Sequence, residues 1–548
     1  MTMSSQQEEV PPAEVEEAQL SLQKDDNKPN SPKAEEDVEY SKPSGCCKLC
    51  RFDGLRTAKA YNILGAGRGC LVMSNIFLAT ALTYLASEEV GCLERDENGD
   101  LIAEEDCQKR VFGLFKPASL VSNIAVIWGL LSALLMPVTG AAIDYTPYRR
   151  RVGIGSAICL VTIQAVTISA SSKTWVAMAL MQALLGFFYQ VQNLCAFSFF
   201  PSIAATVGQA KMTNFSSLFT MTQFSAQASF LLVVVVVSFS LGLKDVNTAK
   251  VSQALSTLVV GTTFYTGWKL LPQVPAKHTV PEGKSIWTQG FVQNWQTAKR
   301  INRQYRNGLR WFLLSVVFGE AAANAFTIVS VVFLDETLGL SGSEVGIFFF
   351  VALIAMVPGG MICKTVTARI NPKKSTILSM AALFVVASVG ALSLDKDTAF
   401  PYSYIWGFAV GLCLGWFYPV EKIFLSMVAP PSMEAEIAGF YVYCTQILGW
   451  LPPLVFSVLV ENDIERGIAV VCISAFLLIS ISILMFAAAP WEEILEEVAE
   501  NDNSNATSSN SDGIADEKKV GVLRGKDGSL VSITENDFTE RKHSILES

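Results

Sequence analysis

Long apolar runs, separated by short polar segments, dominate the chain. A helix needs about 20 predominantly apolar residues to cross a bilayer. Runs of roughly that length lie at 69–86, 118–140, 152–172, 174–199, 215–242 and 249–271, and again at 310–334, 343–364, 375–394, 402–428, 437–460 and 467–489. Between the two sets lies a longer polar connector, 272–309. Both ends of the chain are polar and acidic, too poor in apolar residues to offset the entropy of ordering. The pattern predicts an all-α membrane protein with twelve transmembrane helices in two pseudo-symmetric six-helix bundles. Its parts are a disordered tail (1–58), an N-terminal bundle (59–271), the connector (272–309), a C-terminal bundle (310–490) and a second disordered tail (491–548).

Composition agrees with this reading. Of 548 residues, 51% are hydrophobic and only 17% charged, against about 25% charged in soluble domains. Mean hydropathy is +0.37. The net charge of −9 resides mostly in the tails and the first outward loop. Basic residues are scattered over short loops, which argues against a nucleic-acid surface. Two histidines cannot supply a conventional His-rich metal site. The polar, acidic N-terminus has no cleavable signal pattern.

Loop charge sets the orientation. Arg149, Arg150, Arg151, Lys269, Lys284, Lys299, Arg300, Arg303, Arg306, Arg310, Arg369, Lys373 and Lys374 fall on one side. Asp335, Glu336, Asp395, Asp397, Glu461, Asp463 and Glu465 fall on the other. The positive-inside rule then makes both tails cytosolic. The first outward loop carries Cys92 and Cys107, a possible disulfide if it faces a lumen or the exterior. Cys46, Cys47 and Cys50, just before the first span, suit either lipidation or free cytosolic thiols. In the connector, Trp287, Phe291, Trp295, Ala298, Ile301 and Tyr305 recur at helical spacing among Lys299, Arg300, Arg303 and Arg306. That arrangement predicts a basic amphipathic helix on the inner membrane surface, or failing that a solvated linker.

The two sets of runs are related by an internal repeat. Gly186-Phe-Phe-Tyr-Gln-Val-Gln-Asn193 in the fourth run parallels Gly415-Trp-Phe-Tyr-Pro-Val-Glu-Lys422 in the tenth, with Pro201 and Pro430 at equal distances beyond. Asn75-x-Phe77 parallels Asn324-x-Phe326, and Thr222-Gln223 parallels Thr445-Gln446. The matches pair runs 1/7, 4/10 and 5/11, as two homologous halves require. Between runs 2 and 3, Gly140, a small residue expected to let two helices approach closely, is followed by Asp144 and then Arg149, Arg150 and Arg151; the second half keeps Gly360 and Arg369 at the same spacing but has Lys364 in place of the Asp.

Polar residues inside the apolar runs are the candidates for chemistry, because a charge at mid-bilayer costs about 2.5–3.5 kcal/mol on insertion scales. Glu320 heads a polar stripe with Asn324 and Thr327, and is the first candidate for proton coupling; a helix–helix hydrogen bond is the alternative. Asn75, Gln190, Asn193, Gln223, Gln227, Asn324, Tyr418, Glu421, Lys422, Tyr443 and Gln446 could line one central cavity, although single amides more often join helices. Glu421 and Lys422 are adjacent and cannot face each other on a helix, so each needs another partner. Gly140, Asp144, Arg149, Arg150 and Arg151, with Glu434 and Glu436 in the second half, could form an inner gate, or could be solvated loop charge. There is no catalytic motif, no nucleotide-binding loop and no metal box, so no enzyme activity and no cofactor are expected, and transport would run on gradients.

The turn at Gly140–Arg151 resembles the signature loop of the major facilitator superfamily. More specifically, Glu434-Ala-Glu-Ile-Ala-Gly-Phe-Tyr441 followed by Trp450-Leu-Pro-Pro-Leu454 resembles the autophagy-related vacuolar effluxer family of that superfamily. Two positions depart from it: Pro452 stands where the family segment has Gly, and no acidic residue precedes Ser74-Asn75 in the first run. The resemblance implies a secondary transporter of small solutes, neutral amino acids such as leucine first, from vacuole or lysosome to cytosol, possible protons included. A plasma-membrane carrier of another solute, and a non-transporting receptor with this fold, stay open.

Overall fold

The computed structural model describes residues 56–95, 101–103, 108–200, 203, 209–274, 285–395, 399–430, 433–510, 520–524 and 530–534. Cys46, Cys47, Cys50 and Cys107, and the N-terminal tail up to residue 55, lie outside the described residues. Cys92 is disulfide-bonded.

The N-terminal half consists of α1 (Arg56–Val90), α2 (Leu120–Asp144), α3 (Arg149–Thr167), α4 (Trp175–Phe197), α5 (Gln209–Leu241) and α6 (Asp245–Leu270). A connector helix, α7 (Ile286–Gln304), leads to α8 (Leu309–Val332), α9 (Gly342–Ile370), α10 (Pro372–Ser393), α11 (Ala399–Val428), α12 (Glu434–Ile447), α13 (Leu451–Glu461) and α14 (Arg466–Ser482). The helices α12 and α13 together form one crossing, Glu436–Glu461, re-initiated after a short break by Pro452 and Pro453 in the first turn of α13. A short hairpin pairs β1 (Leu93–Arg95) with β2 (Leu101–Ala103) after α1.

Among the described residues, nine helical segments are long and apolar enough to cross a membrane. The helices α3, α4 and α6 are 19, 23 and 26 residues long but fall outside that set. Their polar residues account for this: three arginines open α3, and α4 carries Gln182, Gln190, Gln192 and Asn193. The expectation of twelve equivalent apolar crossings is therefore met only in part.

Two expected boundaries need correction. The first helix begins at Arg56, thirteen residues before the apolar run, and is 35 residues long. Ala58, Ala60, Tyr61 and Leu64 in this early part are buried by protein, not lipid, so hydropathy does not mark them. Gly65, Gly67 and Gly69 lie against Phe219, Thr263 and Gln227, which sets α1 directly on α5 and α6. The tail from Trp491 is not wholly disordered either. It forms α15 (Trp491–Asn510) and, further on, a hairpin of β3 (Val520–Arg524) with β4 (Leu530–Thr534). Trp491 and Ile494 enter the apolar cluster at the base of α8, and the Glu497 carboxylate accepts from the backbone N–H groups of Asn307 and Gly308 at 3.0 and 3.2 Å.

The repeat is visible in the packing. Gly186 of α4 lies against Trp128 of α2, and Gly415 of α11 lies against the backbone of Met356 in α9. Two residues matched in sequence thus sit at the corresponding crossing, 4 over 2 and 10 over 8, in the two halves.

The halves are joined most firmly at the acidic-loop face. Lys116 Nζ pairs with Asp463 at 2.5 Å, and Arg110 with Glu461 at 3.4 Å. Ser119 Oγ donates to Glu461 at 2.6 Å, Gln108 to Asp463 at 2.9 Å, and Ser457 to Asn123 at 2.8 Å. The N–H of Gly342, opening α9, donates to Asp245 of α6 at 2.9 Å. At the basic-loop face α7 bridges the halves. Its Gly290 rests on the backbone of Pro137, Gln289 donates to the Tyr145 hydroxyl at 3.1 Å, and Arg300 pairs with Glu436 at 2.9 Å. The residues expected on one apolar face divide: Trp287 and Trp295 project outward with 67% and 72% of their surface exposed, while Ile301 and Tyr305 are buried along with Gln289 and Thr297.

Two predictions follow from these contacts. A Cβ at Gly411 in α11 would collide with the Ala352 carbonyl of α9, whereas one at Gly140 meets nothing. Gly411→Ala should lower stability by about 1–3 kcal/mol, as overpacking does, and Gly140→Ala should leave the thermal midpoint of the detergent-purified chain unchanged. The second concerns pH. Hydrogen bonds from Lys116 and Gln108 hold the Asp463 carboxyl below its ordinary value of 3.8. A depressed carboxyl contributes stability above its unfolded pKa and loses it as pH falls through the folded one. The difference in thermal midpoint between wild type and Asp463→Asn should therefore be constant from neutral pH down to about 5 and shrink only below about 4.

Candidate functional site

Five helices from both halves bring ionisable side chains together inside the membrane. In the C-terminal half, Glu320 sits midway along α8, and Glu421 and Lys422 lie in the last third of α11. Glu421 is 0% exposed. Its carboxyl lies beside that of Glu320 and accepts from the Tyr441 hydroxyl of α12 at 3.3 Å. Asn324, one turn along α8, donates to Glu320 Oε2 at 3.3 Å. Glu421 Oε1 is buried and meets no hydrogen-bond donor among the described residues.

Lys422 follows directly on α11. It makes no hydrogen bond and no ion pair among the described residues, keeps solvent exposure, and lies within electrostatic reach of Glu320, Glu421 and Arg68. Arg68 comes from α1 in the other half and is 3% exposed. It donates to Asn193 Oδ1 of α4 at 3.1 Å and lies over the Tyr61 ring at 5.9 Å. Tyr189 of α4 is in reach of Arg68, and Tyr418 of α11 is in reach of Tyr189, Glu320 and Glu421. The centre of the protein is thus an interface lined by two carboxyls, two cations and several phenols, contributed by both halves.

Of the residues expected to line one cavity, Asn193, Asn324, Tyr418, Glu421 and Lys422 join Glu320 here. The others are placed differently. Asn75 donates to the Leu71 carbonyl of its own helix at 2.8 Å. Gln223 and Gln227 pack against Gly69 where α5 crosses α1. Gln446 donates to Thr445 at 3.2 Å, and Tyr443 lies near Phe440 at 6.3 Å. Gln190 is buried in α4. Sequence reasoning missed Arg68, Tyr61, Tyr189 and Tyr441. Arg68 had a signal, a lone cation flanked by Gly67 and Gly69, but it fell just outside the first apolar run.

The expected inner gate is, in its first part, a brace within one half. Arg149 is buried, pairs with Asp144 at 3.7 Å, donates to the Ser198 carbonyl at 3.2 Å and lies over Phe199. Arg150 donates to the Trp268 carbonyl at 3.1 Å, and Arg151 stacks on Tyr148. Gly140 does not mark a close helix approach, contrary to the sequence-based expectation, because open space lies beside it. The approach is made instead by Gly290 of α7 on Pro137. Glu436 joins α12 to α7 through Arg300 and Thr297. Glu434 opens α12, and its side chain lies outside the described residues.

A solved structure shares this architecture. A mutant of the nucleoside transporter NupG aligns with a TM-score of 0.54 at 12% identity, covering 78% of this chain and 99% of that one. The human organic anion transporter MFSD10 (TETRAN) aligns at 0.48 and 13% identity, covering 78% and 99%. Sequence comparison with individual curated proteins gives no match. At the family level, residues 56–490 match the family described as vacuole effluxer Atg22 like. That stretch takes in both helical halves and the connector between them, and by it the chain belongs to the Atg22-like vacuole effluxers, multi-pass membrane transporters of the major facilitator type.

Proposed function

We propose that the protein is a proton-coupled carrier that moves neutral amino acids from the vacuole or lysosome to the cytosol by alternating access. Its working parts are twelve crossings in two halves, with both tails cytosolic. The observation that carries this reading is the Glu320–Glu421 pair, two carboxyls side by side on helices that line the interface of the halves. Two like charges at such range cannot both be ionised cheaply, so a proton taken up from one side can be released when the halves rearrange and the pair meets water on the other. Tyr441 and Asn324 hold the two carboxyls in place.

The contacts between the halves support a defined state. The acidic-loop face is shut by Lys116–Asp463 and Arg110–Glu461, yet Lys422 at the centre still meets solvent. In this reading the site is reached from the basic-loop face, and the conformation is the one open toward the cytosol. In this reading Asp144, Arg149, Arg150 and Arg151 keep the cytosolic end of the first half rigid. Glu436, with Glu434 beside it on α12, and α7 act as the movable inner gate.

The test is flux of a labelled neutral amino acid mixture in proteoliposomes, with and without an inward proton gradient. Wild type should accumulate solute only with the gradient. Glu320→Gln and Glu421→Gln should each reduce gradient-driven accumulation at least tenfold while solute exchange continues. Accumulation that persists in both variants would remove the coupling role from the pair, and no flux of any amino acid in folded protein would remove the substrate assignment.

A further inference from the structure

We propose that Arg68 and Lys422 form a two-sided clamp for an anionic group, a carboxylate, on the solute. The proposal rests on the reading of the central interface as the solute path, and goes beyond it by assigning the group recognised and the residues that recognise it.

The observation is an imbalance of partners. A guanidinium has five N–H donors, and buried charges are normally paired. Arg68, 3% exposed, has one neutral amide oxygen and the Tyr61 phenol, and among the described residues no carboxylate within ion-pair distance. Lys422, one residue after a buried glutamate, has neither hydrogen bond nor ion pair among the described residues. The nearest carboxylates do not serve: Glu421 and Glu320 are turned to each other, to Tyr441 and to Asn324. While Glu320 and Glu421 share a proton, they supply one negative charge against two positive ones. One positive charge is left over, inside the membrane and open to water. A single anionic group placed between the cations removes that excess and fills their unused donors.

The placement adds a second argument. Arg68 belongs to α1 of the first half and Lys422 to α11 of the second, so a group held by both is released or regripped whenever the halves move apart. The internal repeat puts Asn193 and Lys422 at equivalent positions, and Asn193 is the residue that orients Arg68. The two equivalent positions thus supply one cation directly and position the other. Loss of the shared proton would make the cluster neutral and weaken its hold on an anion. Proton and anion therefore bind with positive coupling, and by linkage each strengthens the other.

The experiment uses the full chain purified in detergent and four probes of one carbon skeleton: L-leucine, leucinamide, 4-methylpentanoate and isoamylamine. The readout is the shift in thermal midpoint with probe concentration, at pH 5.5 and 7.5. Both carboxylates should stabilise, leucinamide and isoamylamine should bind at least tenfold more weakly, and the carboxylate effect should be larger at the lower pH. Lys422→Met and Arg68→Gln should abolish the preference for carboxylate over amide, and Lys422→Arg should restore it. Equal stabilisation by leucinamide and L-leucine, carboxylate preference surviving in both charge-removing variants, or a folded wild-type chain indifferent to both carboxylates would each overturn the clamp. Stabilisation by 4-methylpentanoate that depends on Lys422, in protein showing no amino acid flux, would keep the clamp and reject the amino acid assignment instead.

Discussion

Charge placed inside a hydrocarbon layer must be answered by other charge or by water, and this constraint organises the centre of the protein. An isolated ion there costs several kcal/mol, so Glu320, Glu421, Lys422 and Arg68 could not be distributed over separate helices without a common meeting place. They are gathered where the two halves face each other. Each half holds part of the set: Arg68 on α1 in the first, the carboxyl pair and Lys422 on α8 and α11 in the second. Any rigid movement of one half against the other then changes the electrostatics of the site, which couples conformation to occupancy without a separate signalling element.

The repeat supplies the frame in which this asymmetry arose. Tyr189 and Tyr418 keep the same residue type at equivalent positions and approach each other across the interface. Gln192 and Glu421 are also equivalent, as are Asn193 and Lys422. In the first half, Gln192 remains a neutral helix joiner beside Ser156, as amides in membrane helices often are. In the second half the same two positions have become ionic. One half thus carries neutral glue and the other charge, on a helix held by the same kind of glycine contact, Gly186 on Trp128 and Gly415 on Met356.

How far the sequence could be read depended on which solvent each residue meets. Runs facing lipid were legible because bilayer thickness sets their length, and the halves were legible from matched motifs. The first thirteen residues of α1 were not, because Ala58, Tyr61 and Leu64 are buried by α5 and α6, and protein-facing helix surfaces need not be uniformly apolar. Arg68 was lost with them. Trp491 and Ile494 dock α15 with two apolar anchors in an otherwise acidic segment, too few for composition to register. Gly140 was misjudged since spacing alone does not reveal what stands opposite a glycine. Glu320 and Glu421 were both recognisable as costly residues, but their contact joins positions about a hundred residues apart, and no local pattern encodes it.

The seal at the acidic-loop face has a kinetic consequence. Its acceptors, Glu461 and Asp463, lie two residues apart at the end of α13, and between them they engage Gln108, Arg110, Lys116 and Ser119. Bonds anchored on so short a stretch share one backbone displacement, so they break together and re-form together. This part of the face therefore has few half-open arrangements, and it parts in one cooperative step, leaving the Gly342–Asp245 and Ser457–Asn123 bonds as the separate contacts to break. A carrier built this way separates leak from turnover in time: between ruptures, the barrier stays complete.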